Sequence, residues 1–381
     1  MEAHQPLTGV QVVEIGTSVA APYAGWILAG LGARVVKVER PGAGDDARQW
    51  GRMFDDGMSS YFHALNRDKR FVSVDLGDAA ERRWLVDHCT GGSVDVVIQN
   101  MRPGRVEKYG LDADTLRAAQ PRLIYCNLGA FGNRGPLADR PGYDPLMQAY
   151  GGLMSITGED GRPPIRVGTS IIDMGTGMWC VIGIMGALRS REATGRGCVV
   201  DASLYETAVQ WMNNSVASVG VDGRNPERQG SGARGMAPYQ AYECSDGHLV
   251  IAAPNDRLFG KLAAVLGHPD WPSDPRFGCN QDRYANLAEL NALMAPVIAR
   301  YPRAHWQAAL DDAGIPSAPV QLTTEMMADP QTVAMGMVEP GLGGGPALAA
   351  LPLSFDGVRP GIRRHAQPVG TDNHDVKGDR S

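Results

Sequence analysis

Apolar positions in the first 130 residues follow two alternating periods. Short runs rich in β-branched residues alternate with segments that place apolar residues at helical spacing. The strand-like runs are residues 10–16, 33–40, 71–76, 95–100 and 122–132, and the helix-like segments are residues 22–32, 81–89 and 112–120. Such alternation is typical of a parallel sheet covered on both faces, so the pattern predicts an α/β domain.

The pattern changes after this region. Helical spacing dominates in residues 144–156, 174–192 and 201–218, and a stretch rich in glycine and arginine follows at 223–238. Residues 239–253 then have the alternation of a β-hairpin with its turn at Asp246–Gly247. Three further helical segments are expected near 256–267, 284–300 and 304–313. The change predicts a second, smaller domain between about residues 225 and 325.

One acidic residue, Asp173, interrupts the apolar stretch GTSIIDMGTGMWCVIGIMGAL (168–188). The residues after it are apolar on all sides, which predicts a buried helix that starts at Met174 and stops at Gly195. Its large side chains are expected in the core: Met178, Trp179, Ile182 and Met185.

Two interpretations of Asp173 remain open at this point, and they are compatible. As the N-cap of the helix, its carboxylate would accept bonds from free backbone N–H groups, and its loss would cost about 1 kcal/mol. As a nucleophile, it would be kept ionised by the same N–H groups and the helix dipole. A buried charge is expensive unless it faces a cleft, so a cleft position is expected.

The loops after the predicted strands carry features of an anion site. The first, GTSVAAP (16–22), lacks the GxGxxG fingerprint of dinucleotide-binding folds, which disfavours an NAD enzyme. Basic residues recur beside the strand ends and indicate an anionic, phosphate-bearing ligand: Arg40, Lys69, Arg70, Arg102, Arg105 and Lys108.

Two more segments each allow two interpretations. The glycines of QGSGARG (229–235) fit either an interdomain linker or a mobile lid. Tyr143–Asp144 fits a helix start, with Pro145 just inside the helix, but also lies where a ligand contact could be.

Composition and charge narrow the class of protein. With 43% hydrophobic residues, 20% charged residues and a net charge of −6, the chain is expected to be globular and without a nucleic-acid partner. Its six cysteines show no CxxC pairs, which favours reduced thiols in the cytoplasm. We expect no membrane association and no metal, because no signal pattern, uninterrupted apolar span or paired-histidine motif is seen.

These segments together resemble the class III coenzyme A transferase family, which includes formyl-CoA and carnitine CoA-transferases. The resemblance spans most of the chain and is carried by segments in matching order: residues 6–48, 66–76, 95–111, 142–154, 173–178, 239–256, 274–277, 314–320, 329–331 and 364–376. It implies a CoA-transferase acting on an acyl-CoA and a small carboxylic acid.

The resemblance also implies an architecture. It is a Rossmann-like large domain built from both chain ends, a smaller α+β inserted domain, and a homodimer whose subunits are threaded through each other like linked rings. The expected bounds are residues 1–200 for the first part of the large domain, 201–224 for a linker helix region, 225–325 for the small domain and 326–381 for the return.

Site residues carry over from the family motifs one position at a time. Asp173 matches the nucleophile. The implied CoA contacts are Val19, Ala20, Arg40, Val74, Asp75, Leu76, Asn100, Met101, Arg102, Lys108, Tyr143 and Asp144. The glycine lid falls on Gly230, Gly232 and Gly235, although the glycines are not consecutive as they are in formyl-CoA transferases.

Similar racemases of α-methylacyl-CoA have a histidine where this chain has Tyr143. Inversion at an α-carbon needs two acid–base groups and only one is evident here, so the transferase is favoured over a racemase-like isomerase. A CoA-binding protein without catalytic activity is the remaining alternative.

Overall fold

The largest sheet among the described residues is six-stranded and parallel. We describe the chain from a computed structural model, in which residues 4–378 are described. The strand order is β3-β2-β1-β4-β5-β6, and every pair of neighbours is parallel. The strands are β1 (Gln11–Ile15), β2 (Arg34–Glu39), β3 (Arg70–Ser73), β4 (Val96–Gln99), β5 (Ile124–Gly129) and β6 (Val199–Ser203).

The first five strands confirm the predicted alternation, and the sixth corrects it. Residues 201–218 were expected to be helical, but Val199–Ser203 pairs with β5 before the helix begins at Leu204. This strand lies at the edge of the sheet and is mostly only half-buried. It therefore lacks the continuous apolar run of a central parallel strand.

Both faces of the sheet are buried, because alternate strand residues point to opposite sides. Val12 and Val35 pack in one cluster with α1 and α8, whereas Val13 and Val36 pack in another with α3 and α5. The helices of the chain are α1 (Ala20–Gly30), α2 (Ser60–Asn66), α3 (Ala79–Thr90), α4 (Arg105–Tyr109), α5 (Ala113–Ala119), α6 (Asp144–Tyr150), α7 (Leu153–Ile156), α8 (Ile171–Thr194), α9 (Leu204–Trp211), α10 (Asn213–Asp222), α11 (Asp256–Val265), α12 (Asn280–Ala285), α13 (Leu287–Ile298), α14 (Arg303–Ala313), α15 (Thr323–Ala328), α16 (Pro330–Ala334) and α17 (Asn373–Lys377).

The chain divides into two compact units. Of the described residues, the first comprises 4–153, 166–224 and 330–378, and the second comprises 154–165 and 225–329. In the first unit the late part of the chain reaches the edge strand β3, where the N–H of Phe71 donates to Asp372 Oδ2 at 2.8 Å. The N–H of Ser73 donates to Asn373 Oδ1 at 2.9 Å. The domain bounds expected from the sequence stay a prediction.

The second unit has an antiparallel sheet and its own core. The sheet order is β7 (Tyr239–Cys244), β8 (Gly247–Ala252) and β9 (Ser317–Pro319), and Cys244 pairs with Gly247 across the predicted hairpin turn. Residues of this sheet pack with helices α11, α13 and α14 around Phe259 and Leu290. Two short strands of the first unit, β10 (Val338–Glu339) and β11 (Leu348–Ala349), form a separate antiparallel pair.

Helix α8 is longer than predicted and its exposure differs from the prediction. It has 24 residues and ends at Gly195, whose φ of 70° confirms the predicted stop. The four large side chains expected in the core are exposed instead: Met178, Trp179, Ile182 and Met185. An apolar helix surface indicates burial by some partner, and this chain supplies a partner only for the opposite side, as far as its described residues show. By length and composition alone α8 could cross a membrane, but the core helix of a folded domain meets the same criterion.

Candidate active site

A cavity of about 1140 Å³ opens at the carboxyl ends of the sheet strands. This volume lies above the roughly 300–1,000 Å³ of drug-sized ligand pockets. The loops after β1 and β4 both line it, and these neighbouring strands mark the point where the strand order reverses. Ligands of doubly wound sheets bind at this place.

Backbone and side chains hold the loop after β1 in a fixed conformation. Asn100, at the end of β4, accepts from the N–H of Thr17 at 3.0 Å and donates to the Thr17 carbonyl at 2.8 Å. Ser18 has a φ of 72°, and its N–H donates to the Asp45 carboxylate at 3.0 Å. The loop that lines the cavity is therefore tied to β4 and to the chain after β2.

A buried ion network lies under the same loop. Lys37 donates to the Gly16 carbonyl at 2.8 Å and pairs with Glu14 at 3.0 Å and Asp45 at 2.9 Å. Burial alone would lower the pKa of Lys37. The nearby carboxylates of Asp45 and Glu14 have the opposite and larger combined effect, so the pKa of Lys37 is raised. The positive charge thus persists in the core and fixes the Gly16 carbonyl.

Asp173 lines the cavity from the first turn of α8. The helix begins at Ile171, so Asp173 is its third residue and not the N-cap expected from the sequence. The actual N-cap, Ser170, makes no side-chain capping bond. The cap comes from another helix, because Asp144 Oδ2 accepts from the N–H groups of Ile172 at 2.7 Å and Asp173 at 3.1 Å.

The electrostatics of Asp173 correct a second expectation. Burial, followed by the negative charge of Asp144, raises the pKa of Asp173 to about 7. The helix N–H groups that were expected to keep Asp173 ionised are bound to Asp144 instead. Within residues 4–378, the Asp173 carboxylate accepts no hydrogen bond, so its two oxygens face the cavity without a competing partner.

The cavity brings together most of the residues implied by the resemblance. Those that line it with Asp173 are Val19, Ala20, Arg40, Asn100, Met101, Arg102, Tyr143 and Asp144. Four guanidinium groups on its wall favour an anionic ligand: Arg40, Arg102, Arg105 and Arg140. Arg40 pairs with Asp46, and both side chains are largely exposed.

The other implied contacts lie elsewhere. Val74, Asp75 and Leu76 follow β3 and do not line the cavity, and neither does Lys108, which lies on α4 near the Tyr109 ring. The segment with Gly230, Gly232 and Gly235 belongs to the second unit. There the N–H of Gly230 donates to the Gly158 carbonyl at 2.8 Å, and Gly230 and Gly235 have φ of 58° and 72°.

Several supporting residues were not found by sequence reasoning. Gln148 binds both Asp144 and the chain before α8, and a polar row of Gln99, Asn127 and Asp201 crosses the ends of β4, β5 and β6. The spacing of four between Asp144 and Gln148 was a usable signal, because residues i and i+4 meet on a helix. The polar row has no comparable sequence signal, because its three members are far apart in the sequence.

The described residues, 4–378, contain no group of three or more His, Cys, Asp or Glu side chains arranged to hold a metal ion.

Comparison with known proteins identifies the family. Residues 7–373 match the model of CoA-transferase family III. The succinyl-CoA–D-citramalate CoA-transferase of Chloroflexus aurantiacus is 36% identical over 97% of this chain and 94% of that protein. The succinate–glutarate CoA-transferase of Agrobacterium fabrum is 33% identical over 96% of this chain and 94% of that protein.

A solved structure extends the likeness to the whole fold. A CAIB/BAIF family protein from Brucella suis is 36% identical, covers 98% of this chain and 99% of its own, and superposes with a TM-score of 0.90. The chain therefore belongs to CoA-transferase family III, whose reaction is transfer of coenzyme A between an acyl-CoA and a carboxylic acid.

Proposed function

We propose that Asp173 is the nucleophile and carries the acyl group and coenzyme A in turn. The observation that supports this most directly is its position: a carboxylate with no hydrogen-bond partner among the described residues, half-buried, in the cavity at the carboxyl edge of the sheet. A raised pKa also accompanies greater basicity, which makes a carboxylate a better nucleophile once it is ionised.

In the first half of the proposed reaction, Asp173 takes coenzyme A from the donor. The Asp173 carboxylate attacks the thioester carbonyl, forms a mixed anhydride and releases CoA thiolate, whose thiol has an ordinary pKa of about 8.5 and leaves readily. The thiolate then attacks the aspartyl carbonyl. This second step gives an aspartyl-CoA thioester and releases the donor acid as its carboxylate.

The second half reverses these steps with the acceptor. The acceptor carboxylate attacks the aspartyl thioester, which gives a new anhydride and thiolate again. The thiolate attacks the acceptor's acyl carbonyl, and Asp173 leaves as a free carboxylate. Each intermediate keeps an activated acyl group, and water has to be excluded because it would hydrolyse all of them.

The basic wall of the cavity is proposed to bind the phosphates of coenzyme A. Arg40 and Arg102 lie beside Pro-Gly turns at two strand ends, and Val19, Ala20, Asn100 and Met101 provide close backbone and side-chain contacts. Tyr143 approaches from the start of α6, and Asp144, whose side-chain oxygens are bound to Gln148 and α8, stays a proposed contact from the resemblance. We keep Val74, Asp75, Leu76 and Lys108 as proposed contacts from the resemblance, although they lie outside this cavity.

For the substrates we propose succinyl-CoA as donor and a small dicarboxylate or hydroxy acid as acceptor. The support is that both relatives named above carry succinate or succinyl-CoA with a dicarboxylic acid in their names. A mass-spectrometric screen of acyl-CoA donors against carboxylic acids tests it. Transfer from acetyl-CoA but not from succinyl-CoA would contradict it.

We also propose a homodimer of linked subunits in the cytoplasm, with the glycine segment 229–235 as a lid. The exposed apolar row on α8 supports a second chain, since such a patch on a lone chain marks an interaction surface.

The proposed cytoplasmic location is supported by the cysteines. All six lie within the described residues and are free thiols, as is usual in a reducing compartment.

Covalent trapping tests the role of Asp173. Incubation of the enzyme with succinyl-CoA and hydroxylamine should convert Asp173 to its hydroxamate, which a peptide mass shift detects. Asp173→Asn should form no adduct and lose transfer by several orders of magnitude, whereas the matched change Asp201→Asn in the same cavity should still form the adduct. A folded Asp173→Asn variant with near-normal turnover would refute the nucleophile.

The same samples discriminate an isomerase. Exchange of the substrate's α-hydrogen in deuterated water, without an acceptor acid and without an adduct at Asp173, would favour the racemase-like alternative.

A further inference from the structure

Asp144 lines the cavity and also forms hydrogen bonds to the first turn of α8, the helix that carries Asp173. Its relative exposure is only 2%. Oδ2 accepts from the N–H groups of Ile172 and Asp173, two of the first-turn donors that α8 leaves without a partner. Ser170, the local N-cap, provides no side-chain substitute. Asp144 therefore fixes the backbone of Asp173 itself.

Gln148 determines how the other oxygen of Asp144 is bound. Its side chain is fully buried, and its carbonyl oxygen accepts from the N–H of Val167 at 2.8 Å. The amide NH₂ must then face Asp144, and it donates to Oδ1 at 2.5 Å. Because a backbone N–H can only donate, the amide orientation is unambiguous and presents Asp144 with a donor.

The negative charge of Asp144 has no cationic partner among the described residues. Its oxygens are bound by two backbone N–H groups and one amide. Such dipoles stabilise a carboxylate but leave its net charge in place beside Asp173. The arrangement keeps two carboxylates together at the start of α8.

Other titratable groups also lie near α8. From the elements packed on this helix they are Tyr23 on α1, Tyr125 and Cys126 on β5, Tyr150 on α6, Asp201 on β6, and Tyr205 and Glu206 on α9. Glu107, Asp139, Tyr61 and Tyr143 and the four guanidinium groups named above also line the cavity. Asp144 is the group whose charge, after burial, raises the pKa of Asp173.

We propose that Asp144 and Gln148 are positioning residues that destabilise the ionised form of Asp173 relative to its acylated forms. The inference rests on the proposed nucleophilic role of Asp173. When Asp173 attacks a thioester, its negative charge leaves with the CoA thiolate and Asp173 becomes a neutral anhydride. The repulsion from Asp144 is relieved in that step, so the fixed charge favours acylation.

The amide geometry provides a double variant that separates charge from geometry. In Asp144→Asn, the one remaining side-chain oxygen would still have to accept from the N–H groups of α8. The new NH₂ group would then face the NH₂ group of Gln148, and two donors cannot form a hydrogen bond. Adding Gln148→Glu resolves this clash, because a carboxylate accepts from both the new NH₂ group at position 144 and the Val167 N–H. The combined variant keeps the hydrogen-bond pattern and moves the negative charge to position 148, one turn along α6, where the side chain bonds to position 144 and Val167 and not to Asp173.

The test is the pH dependence of adduct formation on Asp173, followed in single turnovers with succinyl-CoA. We expect D144N/Q148E to melt within a few degrees of the wild type and to lower the pH midpoint by about one unit. We also expect adduct formation to slow by about tenfold at pH 8.5, where Asp173 is ionised in both proteins. An unchanged midpoint and rate would overturn the proposal and leave Asp144 as a structural cap.

Two further measurements keep the result interpretable. If the double variant does not fold, D144N alone should still show the lowered midpoint, and an unchanged midpoint would overturn the proposal. If the wild type itself forms no adduct on Asp173, the proposed nucleophile is wrong. An adduct in the wild type with an identical midpoint and rate in D144N/Q148E rejects only the role of Asp144 and Gln148.

Discussion

At the scale of single residues, Asp173 lies where its ionised form is destabilised but where its carboxylate can reach a ligand in the cavity. Its carboxylate faces a cavity, its pKa is raised to about 7, and the neighbouring Asp144 takes the helix N–H groups. Placing a reactive carboxylate there costs folding free energy, as is common at functional sites.

This cost gives a prediction with a definite sign in pH. The unfolded chain releases the Asp173 proton near pH 3.8, whereas the folded chain holds it until about pH 7. Between these values the folded state binds more protons, so the stability contributed by this group falls as pH rises. We expect Asp173→Asn to raise the free energy of unfolding at pH 8 by up to roughly 4 kcal/mol and to have little effect at pH 4.

Thermal denaturation at both pH values measures this effect. The surface change Asp160→Asn is the matched control, because an exposed carboxylate has no burial cost to relieve. Equal melting temperatures of wild type and Asp173→Asn at pH 8 would show that the buried charge is compensated. The loss of about 1 kcal/mol expected for a capping residue does not apply to Asp173, because Asp173 is not the cap.

The sequence predicted the location of the site better than its internal contacts. Asp173 and the loop 16–22 were identified because a lone acid before an apolar helix and a βα loop are local patterns. The bond from the N–H of Asp173 to Asp144 joins residues 29 apart, and no local pattern encodes it. The helix start predicted at Tyr143–Asp144 is confirmed by α6, but the bonds from Asp144 to α8 were not predicted.

At the scale of elements, α8 is positioned by glycines as well as by apolar contacts. A Cβ at Gly177 would lie 2.7 Å from the Ala20 carbonyl oxygen, which belongs to the backbone of α1 at the cavity. A Cβ at Gly175 would lie 2.9 Å from the Trp211 ring. Close approach of α8 to α1 and α9 therefore depends on these two residues.

Gly177→Ala should push α8 away from α1. We expect a loss of about 1–3 kcal/mol, because a backbone atom cannot move aside as a flexible side chain can. The urea midpoint measures it, and transfer activity should fall in parallel because Asp173 and Ala20 both line the cavity.

Gly260→Ala is the control for this substitution. Gly260 lies inside helix α11, and a Cβ there meets no atom within 4 Å. Alanine should leave stability unchanged or raise it by up to about 1 kcal/mol through helix propensity. If the two variants had the same midpoint, close packing at Gly177 would not be what positions α8.

At the scale of the whole molecule, the sequence predicted the parallel sheet, the hairpin of the second unit and the end of α8. It was wrong about the edge strand β6 and about burial of the outer face of α8. The hydrophobic pattern predicts that Ile182 and Trp179 are buried, but it does not indicate whether the same chain or a second chain covers them. Ile182 is 57% exposed in the single chain, so the described residues of this chain leave it largely uncovered.

The proposed homodimer predicts a mass in solution of about twice the 40.7 kDa of one chain. Ile182→Lys places a charge in the middle of the exposed row of α8, so it should lower the dimer fraction measured by light scattering after gel filtration. Leu322→Lys, an exposed apolar position in the second unit, is the control. A monomeric wild type, or a dimer indifferent to Ile182→Lys, would argue against this face as the interface.

The bonds from Asp372 and Asn373 to β3 also determine an order of events during synthesis. Edge strand β3 is made early, but the side chains that bind its Phe71 and Ser73 N–H groups arrive about 300 residues later. Until then a nascent chain displays an open strand edge that another chain can contact. In the proposed linked dimer, the late segment would act as a latch that covers this edge after the two chains have met.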